Sequence, residues 1–310
     1  MKDLFNREIN YMRISLTDLC NLRCRYCMPA EGVRKKSHDD IMSEDEIISV
    51  IEAASELGIN KIRFTGGEPL IKKNIISICK RASKIINEIC ITTNGILLAG
   101  LAEKLRDSGV ERVNISLDTL NPEKYFYITR GGLLDSVLAG IESAINAGFR
   151  VKINTVLVKG FNDDEILNIA NLTRTKNLDI RFIELMPMLE DFDAEKFMTS
   201  QKIFEILPEL EYLQSDGVAK MYKLKNSIGN IGFISPISES FCSRCNRIRL
   251  TADGFIKPCL HSRTEIFVRH KNKDELKNLI IQAIESKPES HKLNFSHHTD
   301  SARTMNRIGG

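Results

Sequence analysis

The 310 residues carry 44 lysines and arginines against 41 aspartates and glutamates, a formal charge of +3, and 42% of them are hydrophobic. That length can bury one large α/β domain with an appendage, and so small a net charge excludes a general nucleic-acid surface, so any anion must be met locally. No run approaches 18 apolar residues and MKDLFNREIN lacks the basic-then-apolar pattern of a secretory signal, which makes a soluble, cytosolic protein with no membrane partner the expectation.

From Tyr11 to about Leu185, short β-branched runs alternate with amphipathic segments, a βα repeat of about thirty residues. The first strand, MRISL, runs into Cys20-Asn-Leu-Arg-Cys24-Arg-Tyr-Cys27. Thiols at this Cys-x3-Cys-x2-Cys spacing can hold three corners of a metal cluster and leave a fourth iron open to a small molecule. A closed zinc site would want a fourth ligand, and the neighbouring chain offers only His38, in a polar loop. SEDEIISVIEAASELG predicts a helix with Ser43 as N-cap, Glu46 as capping-box partner and Gly58 at the stop. KIRFT is the second strand. Gly66-Gly67-Glu68-Pro69 follows it, where glycines allow a sharp turn and close backbone approach to a ligand.

Further strands are predicted at EICITT (88–93), RVNISL (112–117), RVKINTVLV (150–158) and LDIRFIEL (178–185), led by helical stretches stopping near Gly109, Gly148 and Asn177. Six parallel strands joined by right-handed crossovers make a partial, open (βα)6 barrel of TIM type within an α/β fold. Thr92, Thr93, Ser116 and Met186 sit at strand ends, where such barrels build sites. Arg13, Arg63, Lys152 and Arg181 lie on or beside strands, where a buried cation is costly without a counter-charge. A triphosphate would supply that charge; Glu68, Asp118 or Glu184 are the internal alternatives. No G-x4-GK[ST] sequence occurs, so phosphate transfer is not implied.

After Pro187 the pattern changes, which divides the chain into a barrel over 1–190 and an α+β region over 191–310. MLEDFDAEKF reads as a polar connection, QKIFEILPELEYL as a short helix, MYKLKNSIGNIGFIS as two strands around a turn, RIRLTADGFIKPCL as strand-turn-strand and KDELKNLIIQAIESKP as a last helix before a polar tail. Cys242-Ser-Arg-Cys245, then Cys259, form a second triad, and with His261 nearby its spacing alone suits zinc as well as a cluster. Arg247 and Arg249, at i and i+2 of one strand, face one way and disfavour a dication unless an anion lies between. Cys79 and Cys90, in apolar contexts, read as small buried hydrophobes.

The phrases RISLTDLCNLRCRYCMP, IRFTGGEPL, ITTNG, VNISLDTL, VKINTVL, RFIELM and FCSRCNRIRLTADG, with the closing Gly309-Gly310, resemble the GTP 3′,8-cyclase family of radical S-adenosylmethionine (SAM) enzymes from about Arg13 onward. The resemblance implies a radical SAM partial barrel with two 4Fe-4S clusters, one held by Cys20, Cys24 and Cys27 and one by Cys242, Cys245 and Cys259. It implies SAM contacts at Tyr26, Gly67, Ser116 and Met186, and GTP contacts at Arg13, Arg63, Thr92, Lys152, Arg247, Ile248 and Arg249. Arg247, Arg249, Gly309 and Gly310 would serve catalysis. It implies conversion of GTP to (8S)-3′,8-cyclo-7,8-dihydroguanosine 5′-triphosphate, opening molybdenum cofactor biosynthesis, with an external one-electron reductant, a downstream cyclic pyranopterin synthase and a homodimer. Two other readings are a radical SAM maturase acting on a peptide, which would carry more cysteines in its second region, and an iron–sulfur carrier or zinc-stabilised binding protein, which would need neither GGEP nor a basic barrel.

Overall fold

The computed structural model describes every residue except 34–36, 38–39, 189–191, 297–298 and 310, so His38, Gly310 and part of the 187–200 connection lie outside the described residues. The six anticipated strands form as β1 (Tyr11–Ser15), β2 (Lys61–Thr65), β3 (Glu88–Thr93), β4 (Arg112–Ser116), β5 (Arg150–Leu157) and β6 (Leu178–Glu184), each pairing in parallel with the next. Their apolar residues are almost wholly buried, as strands covered on both faces require. The helix Glu44–Glu56 starts as its sequence dictates: Ser43 caps it, both capping-box bonds with Glu46 are present, and Gly58 takes φ 90° at its end.

The later region adds β7 (Glu211–Asp216), β8 (Ala219–Lys223), β9 (Ile231–Ile234), β10 (Arg247–Leu250), β11 (Phe255–Lys257) and β12 (Ile266–Phe267). Among the described residues one open sheet results, ordered β12-β11-β10-β1-β2-β3-β4-β5-β6-β9-β8-β7. Strands of the later region therefore flank the barrel strands on both sides. β10 joins β1 in parallel and β9 joins β6 in parallel, so the parallel run is longer than six. The expected helix over QKIFEILPELEYL is shorter, Gln201–Ile206. Pro208 disfavours helical geometry at Leu207, which sits at φ −123°, and EYLQSD becomes β7, antiparallel to β8. Cys79 is buried as expected, whereas the buried Cys90 sulfur accepts from Arg112 Nη2 at 3.2 Å and so does more than fill space. No helix among the described residues is long and apolar enough to cross a membrane.

Candidate active site

Cys20, Cys24 and Cys27 occupy the loop after β1, none of them in a disulfide. The loop is splinted from behind: Arg23 N and Arg25 N donate to the carbonyls of Thr129 and Ile128, and Arg130, at φ 55°, donates through Nη1 to the carbonyls of Arg23 (2.7 Å) and Met28 (2.8 Å). Burial pushes the Cys27 thiol up to about 12 and Cys24 well above its ordinary range, with neighbouring thiols and Asp118 adding to both. Thiols so shielded ionise only against a cation, so the trio fits a metal centre and not a reactive free thiolate. Among the described residues no three Cys, His, Asp or Glu side chains converge tightly enough to hold a single ion. A cluster gripped at its corners takes a wider cradle.

The GGE loop packs directly beneath. Gly67 N donates to Thr17 O at 2.7 Å, and a Cβ on Gly67 would lie 2.2 Å from Leu19 O, so no side chain fits there. Glu68 is fully buried and pushed up to about 7 by that burial, although Leu70 N, Asn94 N and Thr93 Oγ1 all donate to it. It thereby ties the end of β2 to the end of β3. Asn94 Nδ2 continues the chain of contacts to Asn21 Oδ1 at 2.7 Å and to the Cys20 sulfur at 3.7 Å. On the facing side, Tyr26 donates its hydroxyl to Asp118 Oδ2 at 2.7 Å, and Val156 N holds the other oxygen.

The sheet register assembles the cationic wall. Arg249 on β10, Arg13 on β1 and Arg63 on β2 are lateral neighbours, one strand spacing of about 4.8 Å apart. No ion pair to a carboxylate is found for any of these three among the described residues. Arg249 donates to Gly309 O at 2.7 Å, Arg13 Nε to the Tyr11 hydroxyl at 3.2 Å, and the buried Arg63 Nε has no hydrogen-bond partner. Burial, reinforced by Arg247 and Arg63, brings Arg13 down to about 10. The internal partners considered from sequence are all engaged elsewhere. Glu68 and Asp118 take the contacts above, and Glu184 accepts from Ser200 N, Ile237 N and Ser238. Lys152 and Arg181 instead share Asp216 Oδ2, each at 2.5 Å, while Lys61 and Arg112 share Glu88. Burial and the Arg181 charge lower Lys152 to about 8. Buried polar atoms of Thr92, Asn114 and Asn154 on the same wall also lack partners, as expected of a surface that meets a polar ligand.

The second triad has the opposite electrostatics. Burial opposes ionisation of Cys245, yet Arg247 and Lys287 bring it to about 6, and a His291 contact brings Cys242 to about 7 against the same penalty. His261 is driven down to about 3 by burial and the charges of His291, Arg249 and Arg247, leaving it a neutral ring 5.1 Å from that of His291.

All six patterned cysteines, with Tyr26, Gly67, Ser116, Met186, Arg13, Arg63, Thr92, Arg247 and Arg249, line one cavity of about 370 Å³. Ile248 does not line it: strand alternation turns its side chain into the core, fully buried, so that only its backbone is available. Lys152 stands behind the lining at Asp216, and Gly309 behind Arg249. Gly309 takes φ 76°, and a Cβ there would lie 2.2 Å from Thr65 Oγ1. Tyr11, Lys61, Arg112, Asn114, Asp118, Asn154, Asp216, Lys287 and His291 also line the cavity and were not foreseen as site residues. The i, i+2 rule applied to Arg247 and Arg249 would have found Tyr11 beside Arg13 and Lys61 beside Arg63.

Residues 14–173 match the radical SAM superfamily and residues 178–293 the family described as Molybdenum Cofactor Synthesis C. The chain is 48% identical, over all of both chains, to the GTP 3′,8-cyclase of Alkaliphilus oremlandii, and 46% identical to that of Peptoclostridium acidaminophilum over 99% of this chain and 98% of that one. The fold is similar to Streptococcus suis SuiB bound to precursor peptide SuiA (TM-score 0.66, 14% identity, 92% of this chain and 66% of that one) and to methylornithine synthase PylB (TM-score 0.56, 15%, 91% and 84%). Matched along its whole length by curated relatives at this level, the chain belongs to the GTP 3′,8-cyclase family of the radical SAM superfamily.

Proposed function

We propose that the chain cyclises GTP to (8S)-3′,8-cyclo-7,8-dihydroguanosine 5′-triphosphate, the first step of molybdenum cofactor biosynthesis, with a 4Fe-4S cluster on each thiol triad. The observation that carries this reading is a single cavity lined by both triads and by Arg13, Arg63 and Arg249, none of which has an ion pair to a carboxylate among the described residues. When bound, SAM and a cluster held by Cys20, Cys24 and Cys27 would together supply one-electron cleavage of the sulfonium, with the electron from the external reductant, and hydrogen abstraction from C3′ of the substrate. The protein's part is to bind, orient and shield. Gly67 offers backbone to SAM, and Ser116, Tyr26 and Met186 surround it. Arg13, Arg63 and Arg249 hold the triphosphate beside Thr92, with Arg247 and the Ile248 backbone completing that strand. Lys152 joins them by exchanging Asp216 for a phosphate. Apolar residues of the wall, among them Leu22, Ile183 and Met188, exclude water. Gly309, whose carbonyl accepts from Arg249 Nη1, sets the position of that arginine. An external one-electron reductant, a downstream cyclic pyranopterin synthase and a cytoplasmic homodimer belong to the same reading.

Anaerobic reconstitution followed by iron, sulfide and zinc analysis, then incubation with SAM, reductant and GTP, tests it. Cys24→Ala should abolish SAM cleavage, and Cys245→Ala should retain some uncoupled cleavage while losing cyclisation. Recovery of tightly held zinc and no iron at the second triad would overturn the two-cluster reading.

A further inference from the structure

Tyr11 lines the cavity at 5% exposure in the middle of the cationic wall. Its strand register sets it beside Arg247 on one side and Lys61 on the other, and strand alternation puts it on the same face as Arg13. Its hydroxyl accepts from Arg13 Nε at 3.2 Å. Its ring lies 5.6 Å from the Arg63 guanidinium carbon, 6.0 Å from that of Arg13 and 5.4 Å from the Lys61 ammonium. Each separation is within reach of a cation–π attraction. Lys61 also has Glu88; Arg13 and Arg63 have no carboxylate among the described residues.

Two like charges on neighbouring strands repel, and long side chains left unpaired would swing apart. A carboxylate between them would cure the repulsion, but it would also cancel the charge that an anionic ligand needs and would have to be displaced on binding. A phenol does neither: its ring face and oxygen attract guanidinium groups without removing their charge. We propose that Tyr11 is a positioning residue for the anionic substrate, its ring and hydroxyl holding Arg13 and Arg63 fully charged and aimed into the cavity. The proposal rests on the reading that the triphosphate meets this wall.

The test compares Tyr11→Phe, Tyr11→Leu and Arg63→Met in the reconstituted enzyme, measuring equilibrium affinity for GTP and, separately, for SAM through its effect on the cluster spectrum. Tyr11→Leu should weaken GTP binding roughly tenfold or more, with SAM affinity unchanged, and Tyr11→Phe, which keeps the ring and the fold, should lose less. Unchanged GTP affinity in Tyr11→Leu, or equal loss of GTP and SAM affinity, would overturn the positioning role. Equal losses in the Phe and Leu variants would remove the ring from it. If Arg63→Met weakens GTP binding while Tyr11→Leu does not, the assignment of Tyr11 alone fails; if neither does, the triphosphate lies elsewhere and the reading beneath it fails.

Discussion

Arg63 offers a test in which stability and binding should move in opposite directions. The residue is 5% exposed, its Nε is unpartnered, and its lateral neighbour on β1 is another arginine. At a separation of about 5 to 8 Å and an effective dielectric of about 20, two such charges repel by about 2 to 3 kcal/mol. Arg63→Met removes that repulsion and gives up a cation–π contact with Tyr11 of about 1 kcal/mol. The substrate-free variant should therefore be more stable by about 1 to 2 kcal/mol, a rise of roughly 2 °C per kcal/mol in the melting midpoint at this size. The same change deletes a charge-assisted contact of about 1.5 to 3 kcal/mol to phosphate, so GTP should bind about 10- to 150-fold more weakly. Scanning calorimetry without substrate and equilibrium GTP binding, both at pH 7 and low salt, read the two arms. A lower melting midpoint with GTP affinity intact would mean that Arg63 is a structural cation, and the account of the wall given above would fall.

GTP affinity should decline as pH rises from about 7 to 9. Lys152, brought to about 8 by burial and Arg181, loses its positive charge there. Tyr11 acquires a negative one, because Arg63, Arg13 and Arg247 outweigh its burial and bring it to about 8. The first change removes an attraction for an anion and the second adds a repulsion, so Lys152→Arg and Tyr11→Phe should each remove part of the decline and the double variant nearly all of it; a flat profile in the unmodified enzyme would contradict both. Gly309→Ala forces a side chain into a left-handed backbone position against Thr65 Oγ1 and should displace the carbonyl that Arg249 holds. Cyclisation should drop about a hundredfold with cluster content unchanged, since an error near 1 Å in a reacting geometry costs about that much. Cyclisation at the unmodified rate, measured by product formation, would make the tail a passive end.

What could be read from the sequence was whatever a few adjacent residues decide. Ser43, Glu46 and Gly58 bounded a helix because caps act over three residues, and the cysteine spacings and Gly66-Gly67 declared themselves because their chemistry is local. β7 stayed hidden because it is exposed along nearly its whole length and so shows no apolar alternation. Asp216 was invisible as a partner of Lys152 and Arg181 because it reaches them from β7, at the far edge of the sheet, through tertiary arrangement alone. Ile248 was carried along with Arg247 and Arg249 as a unit, although alternation sends its side chain to the opposite face.

The interleaved strand order also governs how the molecule comes into being. The outer edge of β1 is completed by Arg247–Leu250 and that of β6 by Ile231–Ile234, so both edges of the amino-terminal barrel wait for chain that is synthesised much later. Until then the nascent half-barrel carries two bare parallel edges, with the non-local pairing that folds slowly and invites association with other chains. The arginine wall cannot exist before β10 arrives. Without β9 and β10 the first half of the chain leaves both of those edges unpaired, so expressed by itself it should associate or aggregate more readily than the whole chain.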